Sequence, residues 1–257
     1  MHLTRTVHAE LVERFIFNFR LAPEALAEKL PVPWIVPQVI NGWSVMSFCI
    51  LSLDHVVLGP LPGILGCRTL SCAHRFGVVD ISGPKPEPAV YVLDRSSDRG
   101  IISGLGGLVF ASTVSRAHVA IAGGENDDLA IGVRDVNAEA MFSATVQRDG
   151  GREFESDVFD SLDGAASFIR SGVSSYAPSL SSNSLARVDL HKEDTVYQPV
   201  SAAVDFDCVG AAWRRAGLRF DSAIRTAGGR YRWTYRGRRP AESQHERPRV
   251  RALRAAA

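Results

Sequence analysis

Residues 69–76 read Thr-Leu-Ser-Cys-Ala-His-Arg-Phe, and they place His74 and Arg75 inside an apolar segment that spans residues 70–81. The segment is predicted to be a buried strand. An arginine keeps its charge at any ordinary pH and is rarely buried without a partner. If this strand lines a cavity, the His-Arg pair is the strongest candidate in the chain for holding an anionic ligand.

Only one member of the pair can face a cavity in a regular strand, because successive side chains point to opposite faces. A bulge would be needed for both to do so. One interpretation makes Arg75 the grip for a carboxylate. The other makes it half of an internal ion pair with a carboxylate such as Asp94 or Asp221. The sequence leaves both open.

Strand patterns dominate the chain on both sides of this segment. A Pro-rich turn at 83–88 leads to a partner strand at 89–93, and helices are predicted at 23–30 and 161–170, the second with Ser161 as its N-cap. Residues 95–110 are ambiguous, since a helical stripe is interrupted by glycines. Other strands are predicted within 39–53 and at 117–121, 129–133, 140–146, 220–224 and 231–235. About ten strands with few helices predict a mainly β (α+β) fold, a closed or nearly closed antiparallel β-barrel that can hold a small ligand.

The C-terminal region is predicted to be a β-hairpin at 220–236 with an aromatic face turned inward and an arginine face turned outward. Residues 225–257 contain ten Arg and two Glu, a charge of +8 in a chain whose net charge is +1. We assign 1–237 to one domain and 238–257 to a disordered Arg/Ala-rich tail that is dispensable for folding. A solvated tail is favoured over a nucleic-acid-binding segment, because few aromatic side chains interleave with the arginines.

Composition excludes several classes of function. The chain of 257 residues is 46% hydrophobic and 22% charged, as expected of a soluble globular protein. Its longest apolar stretch, 45–53, is too short to cross a membrane, and residues 1–10 lack the apolar core of a signal peptide. The seven histidines show no HxH or HExxH spacing, so no metal site is predicted, and no GxSxG motif is present. Four cysteines without CxxC spacing (49, 67, 72 and 208) predict reduced thiols in the cytoplasm.

The order of several short motifs resembles the uncharacterised DUF2071 family, a branch of the acetoacetate decarboxylase-like superfamily. The resemblance covers about residues 7–236 and implies a cone-like antiparallel β-barrel with a central cavity and a few short peripheral helices. The motifs are Asn18-Phe19-Arg20, Pro23-Glu24, Asn41-Gly42, Ala73-His74-Arg75, Tyr91 with Arg95 and Asp98, Gly106-Gly107, Arg116-Ala117, 161–176, Asp221-Ser222-Ala223 and Trp233.

The resemblance also implies that this chain lacks the lysine with which the true decarboxylases react. The true decarboxylases form a Schiff base through a buried lysine whose pKa is depressed. The matching segment here, 113–116, has no lysine, and we expect Lys29, Lys85 and Lys192 to lie outside any cavity. Relatives also tend to carry Glu and Asn where this chain has Leu70 and Ser71. The chain is therefore predicted not to be a Schiff-base decarboxylase, and no cofactor is implied.

The candidate ligand-binding residues are Arg75, His74, Arg116, His118 and Trp43. For Arg116 and His118 the alternative is a solvent-facing position, and for Trp43 it is a place in the core or cavity wall. We interpret the chain as a protein that binds a small organic anion in a central cavity, with a lyase-like reaction as the superfamily analogy. The alternatives are a non-catalytic ligand-binding protein and a nucleic-acid accessory protein. The oligomeric state is left open, including a homo-oligomer.

Overall fold

The computed structural model describes residues 5–59, 66–123, 128–147, 153–181, 183–193, 196–207 and 213–241. The strands are β1 (Thr6–Leu21), β2 (Ile35–Pro37), β3 (Ser44–Leu58), β4 (Cys67–Asp80), β5 (Glu87–Ser97), β6 (Ser115–Arg116), β7 (His118–Gly123), β8 (Asp128–Arg134), β9 (Ala140–Gln147), β10 (Ser174–Pro178), β11 (Ser184–Lys192), β12 (Val196–Asp207), β13 (Arg219–Ala227) and β14 (Arg230–Pro240). The α-helices are α1 (Pro23–Ala27), α2 (Gly100–Phe110) and α3 (Leu162–Ser171).

Seven strands pair in a closed ring. The order β14-β11-β10-β5-β4-β3-β1 returns to its start, because β14 also pairs with residues 6–10 of β1. All but one of these pairings are antiparallel, the exception being β10 with β5. The expected mainly β fold is therefore confirmed, and the chain folds around a ring of strands. Closure satisfies the backbone hydrogen bonds that an open sheet would expose at its edges.

A second layer packs against the outside of the ring. Strands β7, β8, β9 and the second half of β12 form a sheet whose buried side chains, such as Ile131 and Phe142, contact the outward faces of β1 and β3. Along β1 the residues Phe15, Phe17 and Phe19 face this layer. The intervening residues Arg14, Ile16 and Asn18 face the inside of the ring, so over residues 14–19 both faces of β1 are covered and neither is a solvent face.

The predicted C-terminal hairpin is wrong. Strands β13 and β14 do not pair with each other but lie end to end along the same edge of β1, β13 beside residues 13–20 and β14 beside residues 6–10. Gly228 and Gly229, with φ of 75° and 111°, shift the chain without reversing it. The hairpin was predicted from two neighbouring alternating segments joined by a glycine-containing turn, which is a local signal. The pairing partner of β13 and β14 is instead β1, which lies about 200 residues away in sequence.

The predicted orientation of β14 is confirmed. Tyr231 is 1% exposed and Trp233 is partly buried against it, with ring centroids 5.5 Å apart. Arg230, Arg232 and Arg236 on the other face are exposed. Burying the aromatic face removes large apolar area from water without desolvating the guanidinium groups.

Both predicted helices are present, since α1 lies within 23–30 and α3 matches 161–170 to one residue. Ser161 caps α3, since its Oγ accepts a hydrogen bond from the backbone N–H of Gly164 at 3.1 Å. Helix α3 buries Ala165, Ala166 and Ile169. The ambiguous segment 95–110 divides into the end of β5 and the helix α2, where Gly106 lies against the Val114 side chain, too close for a Cβ. That close approach explains a glycine that weakens the helical pattern.

Strand β14 continues past Gly237, the residue at which the sequence analysis ended the domain. Arg238, Arg239 and Pro240 continue β14 and pair with β11, and Arg239 forms an ion pair of 3.1 Å with Asp80. The Arg239 guanidinium also lies 4.5 Å from the centre of the Trp34 ring. The prediction of a disordered tail falls, for residues 242–257, outside the described residues.

Removing residues 242–257 should leave the melting temperature within a few degrees of the full chain, whereas ending the chain at Gly237 should lower it further. The shorter chain loses the ion pair to Asp80, the contact with Trp34 and three ladder positions on β11, which together contribute about 1–3 kcal/mol. Calorimetric melting of both truncated chains beside the full chain measures the difference. Equal melting temperatures for the two would show that residues 238–241 add no stability.

Among the described residues, no helix is both long and apolar enough to pass through a membrane. Cys49, Cys67 and Cys72 form no disulfide. Cys208 lies outside the part of the chain that the structure describes.

Candidate functional site: a cationic cavity inside the ring

A cavity of about 140 Å³ lies inside the ring, and all seven ring strands contribute to its wall. Helix α2 covers it through Ile102, Gly106 and Phe110. A smaller cavity of about 40 Å³ lies beside α3, whose Phe168 and Ile169 form part of its wall. Arg75 lines both cavities, so the two adjoin at its side chain.

The strand register brings the inward-facing residues of β1, β3, β4 and β5 into rows across the sheet. Arg75 lies opposite Ser47 of β3, and the next inward residue of β3 is Cys49. In β5 a bulge shifts the pairing between His74 and Arg75. As a result Val92 and Arg95, which are three residues apart, both line the larger cavity. A bulge commonly re-aims one side chain in this way.

Four basic side chains meet in these walls. Arg75 and Arg95 line the larger cavity, while Arg14, Arg75 and Lys192 line the smaller one. Arg14 is only 3% exposed, and its Nε and Nη1 have no hydrogen-bond partner; neither does Nε of Arg75. No carboxylate among the described residues forms an ion pair with Arg14 or Arg75. The groups that act to raise their pKa values are Cys49 and Tyr231.

The protonation of these groups follows from burial and mutual repulsion. Burial lowers the pKa of Arg75, and the charge of Arg14 lowers it further. Burial and the charge of Arg75 lower the pKa of Arg95 to about 10, which leaves it charged at neutral pH. For Arg14, burial acts to lower the pKa, but Cys49 and Tyr231 outweigh burial and raise it. The site therefore holds three guanidinium charges with no carboxylate paired to Arg14 or Arg75.

Cys49 is the hydrogen-bond partner that the geometry gives to Arg14. Nη2 of Arg14 donates to Sγ of Cys49 at 3.0 Å, and Cys49 is fully buried. Burial alone would raise the pKa of this thiol, but the charges of Arg14 and Arg75 and the hydrogen bond from Arg14 outweigh burial and lower the pKa. A thiolate beside guanidinium groups is the reactive form of cysteine.

The expectation that all three lysines lie outside a cavity is wrong for Lys192. Its side chain lines the smaller cavity, and its Nζ donates to the backbone carbonyl of Ile169 at 2.7 Å. Burial, with the charges of Arg14 and Arg75, holds the pKa of Lys192 well below its ordinary value. The His-Lys-Glu-Asp sequence resembles a solvated charge run, but Lys192 is the last residue of β11 and faces inward there.

The other predicted site residues are not gathered around Arg75. His74 is fully buried on the opposite face of β4, with its ring 4.3 Å from that of Phe48, and so belongs to the contact between the ring and the outer layer. Arg116 and His118 are exposed and line neither of the two cavities described. Trp43 is partly buried, with the Arg20 guanidinium 5.4 Å from its ring centre.

The ion-pair alternative for Arg75 is not what the structure shows. Asp221 accepts hydrogen bonds from the Ser156 hydroxyl and the Asp157 backbone, while Asp94 acts on Arg95. Arg75 faces the cavity.

Sequence reasoning missed Arg14, Cys49, Arg95 and Lys192. One signal was available in β1, where Arg14 alternates with three phenylalanines at 15, 17 and 19. Alternation of this kind normally indicates a solvent face. It indicates a polar cavity instead when both faces of the strand are covered, and only the outer layer and the closed ring supply that information.

The basic face of β14 is largely neutralised by acids of the neighbouring strands and loops. Arg236 pairs with Asp189 at 2.8 Å, Arg230 with Glu193 at 3.0 Å, and Arg239 with Asp80. Arginines held by carboxylates are less available to phosphate groups. The described part of the Arg-rich region therefore gives no support to the nucleic-acid alternative.

Within the described residues, no group of three or more His, Cys, Asp and Glu side chains could hold a metal ion.

Comparison with known proteins identifies the fold through structure alone. No family model and no curated protein sequence matches the chain. Acetoacetate decarboxylase from Legionella pneumophila superposes with a TM-score of 0.58 at 11% identity, covering 90% of this chain and 87% of that one. The enduracididine biosynthesis enzyme MppR, solved with pyruvate, gives 0.55 at 12% identity, covering 93% and 90%. An acetoacetate decarboxylase-like enzyme from Sphingomonas wittichii RW1 gives 0.55 at 12%, covering 93% and 92%.

These likenesses extend over nearly the whole of each chain, whereas the sequences have diverged far. The chain has the fold of the acetoacetate decarboxylase-like enzymes.

Proposed function

We propose that this protein binds a small organic anion, a carboxylate of a few carbon atoms, in the cavity inside the ring, and that Arg75 is the principal grip with Arg14 and Arg95 in support. Arg116, a candidate ligand-binding residue from the sequence, is exposed and lines neither cavity. We also propose that the protein is a member of the DUF2071 branch of the superfamily and works in the cytoplasm, a location that the unbridged cysteines support.

The observation that carries the proposal is the set of buried guanidinium groups without a carboxylate partner for Arg14 or Arg75. Removing a charge from water is costly unless a counter-charge or several hydrogen bonds replace the lost solvation. Cys49 and Tyr231 supply part of that compensation to Arg14, but Arg14 Nε and Nη1 and Arg75 Nε are left without hydrogen-bond acceptors. A bound carboxylate would supply both the charge and the acceptors.

The size of the cavity fits a small ligand. The larger cavity, about 140 Å³, has room for a molecule of a few heavy atoms and is lined mainly by apolar residues apart from Arg75, Arg95 and a few hydroxyls. Such a wall favours a ligand with one charged end and a short apolar remainder. The 2-oxo acid pyruvate, which MppR binds, has this composition and is a suitable probe.

The test compares the affinity for a carboxylic acid with the affinity for its uncharged amide. Isothermal titration of the full chain with pyruvate and with its uncharged amide, pyruvamide, should show binding of the acid that is at least about tenfold tighter, because a charge-assisted contact is worth about 1.5–3 kcal/mol. Propionate beside propionamide repeats the comparison without the carbonyl. Equal affinity of acid and amide, or no heat from any of the four, would contradict the proposal.

We propose further that any lyase-like reaction here does not proceed by Schiff-base decarboxylation. Segment 113–116 lacks a lysine, and the one amine in the cavity wall, Lys192 Nζ, is held by the Ile169 carbonyl. Incubation with acetoacetate and borohydride should leave the intact mass unchanged. Lys192→Met is the matched variant, since a reduced adduct that forms in the full chain and disappears in this variant would show that Lys192 is a Schiff-base nucleophile.

A further inference from the structure

The smaller cavity brings together a thiol and unpaired hydrogen-bond donors. Cys49 Sγ accepts from Nη2 of Arg14, while Nε and Nη1 of the same guanidinium have no partner. Cys49, Arg14, Arg75 and Lys192 share the wall of this cavity. The buried Arg14 guanidinium therefore donates to the sulfur through Nη2, and its Nε and Nη1 remain available to another acceptor.

The charge balance favours an anion even when the sulfur is ionised. Three guanidinium charges (Arg14, Arg75 and Arg95) exceed the charge of Asp94, which acts on Arg95, together with that of a Cys49 thiolate. Burial and the neighbouring cations lower the pKa of Lys192. Ionisation of Cys49 thus offsets only part of the positive charge. An incoming carboxylate can be bound beside the sulfur by the donors that the sulfur does not use.

We propose that Cys49 Sγ is a nucleophile that forms a covalent bond to small carboxylates whose electrophilic carbon adjoins the carboxylate group. The inference rests on the proposed function, in that Arg75, which borders both cavities, holds the carboxylate where Arg14 and Cys49 of the smaller cavity adjoin it. A molecule whose carboxylate is held by Arg14 and Arg75 places its second carbon next to the sulfur, because the Arg14 guanidinium then contacts the carboxylate as well as Sγ of Cys49. The thiolate is the attacking species.

The bond changes are simple. With a 2-halo acid, the Sγ–carbon bond forms while the carbon–halogen bond breaks, and halide leaves with the electron pair. With a 2-oxo acid, the Sγ–carbon bond forms, the carbonyl π pair moves onto oxygen, and that oxygen takes a proton from water to give a hemithioketal. Neither step needs an oxidant, a reductant or a cofactor.

Iodoacetate and iodoacetamide separate a thiolate in a cationic site from an ordinary thiol, since they differ in charge and little in size. We expect iodoacetate to alkylate Cys49 about tenfold or more faster than iodoacetamide in the folded protein, and the preference to vanish in denaturant. Between pH 8 and pH 6 the rate should also fall less steeply than that of a thiol of ordinary pKa, which loses about tenfold for each unit, because the pKa of Cys49 is lowered. Peptide mass spectrometry locates the label.

Matched variants identify the residues. Cys49→Ser should remove the label, Arg75→Met should reduce the preference for iodoacetate, and Cys67→Ser, outside both cavities, should leave the labelling of Cys49 unchanged. Iodoacetamide reacting faster at Cys49, or no label at Cys49 while Cys67 reacts, would overturn the proposal. Pyruvate titration of the unlabelled protein is read separately. Pyruvate binding without alkylation of Cys49 would support the anion site and contradict the proposal that Cys49 is a nucleophile. Alkylation of Cys49 without pyruvate binding would support the nucleophile and contradict the anion site.

Discussion

Replacing Phe48 by Ala is expected to lower the free energy of unfolding by about 3–5 kcal/mol, the largest stability effect that we predict for a single side chain here. Phe48 is 1% exposed, and its ring lies 4.4 Å from that of Phe142 and 4.3 Å from that of His74. Phe17 lies 4.9 Å from Phe142 on the other side. These four rings join the closed ring of strands to the outer sheet, so truncation leaves a cavity at the junction of the two layers.

Denaturant unfolding of Phe48→Ala beside Val12→Ala measures this effect. Val12 is 43% exposed on β1, and its truncation should change stability by less than about 0.5 kcal/mol. Similar losses for the two variants would mean that the layers do not unfold as one unit. The result bears on His74 as well, because a structural role in this stack is what its position supports, in place of the pocket role predicted from the sequence.

Replacing Arg75 by Met is expected to weaken pyruvate binding about 100-fold while leaving the ligand-free protein at least as stable as before. The first effect follows from losing the guanidinium that borders both cavities, at about 2.7 kcal/mol for the fold-change. The second follows from removing a buried charge that has no carboxylate partner, a change that is often neutral or stabilising. Met keeps most of the apolar length of the side chain.

Titration calorimetry and thermal melting of the same samples give both quantities. Arg116→Met is the control, since Arg116 is exposed on β6 and lines neither cavity, and it should change neither. A marked drop in the melting temperature of ligand-free Arg75→Met would show that Arg75 stabilises the fold through contacts within the chain. Unchanged affinity would show that another cation holds the ligand.

Local pattern was enough to predict most of the elements. Alternation of apolar residues identified β7, β8 and β9. The Ser161 cap and the glycine at 172 marked the two ends of α3. The spacing of Tyr231, Trp233 and Tyr235 identified the buried face of β14. Each of these depends on residues close in sequence, whose side-chain directions follow from the period of a strand or helix. The same local reasoning placed Arg75 and His74 on opposite faces of one strand.

The sequence by itself determined that this chain is mainly β and that Arg75 lies in an apolar strand. Only the tertiary structure decided which of His74 and Arg75 faces the cavity, that β13 and β14 share the edge of β1, and that Arg14, Cys49, Arg95 and Lys192 meet around Arg75. The physical reason is that strand pairing joins segments far apart in the chain. Until the ring closes and the outer layer covers it, an alternating polar residue cannot be assigned to water or to a cavity.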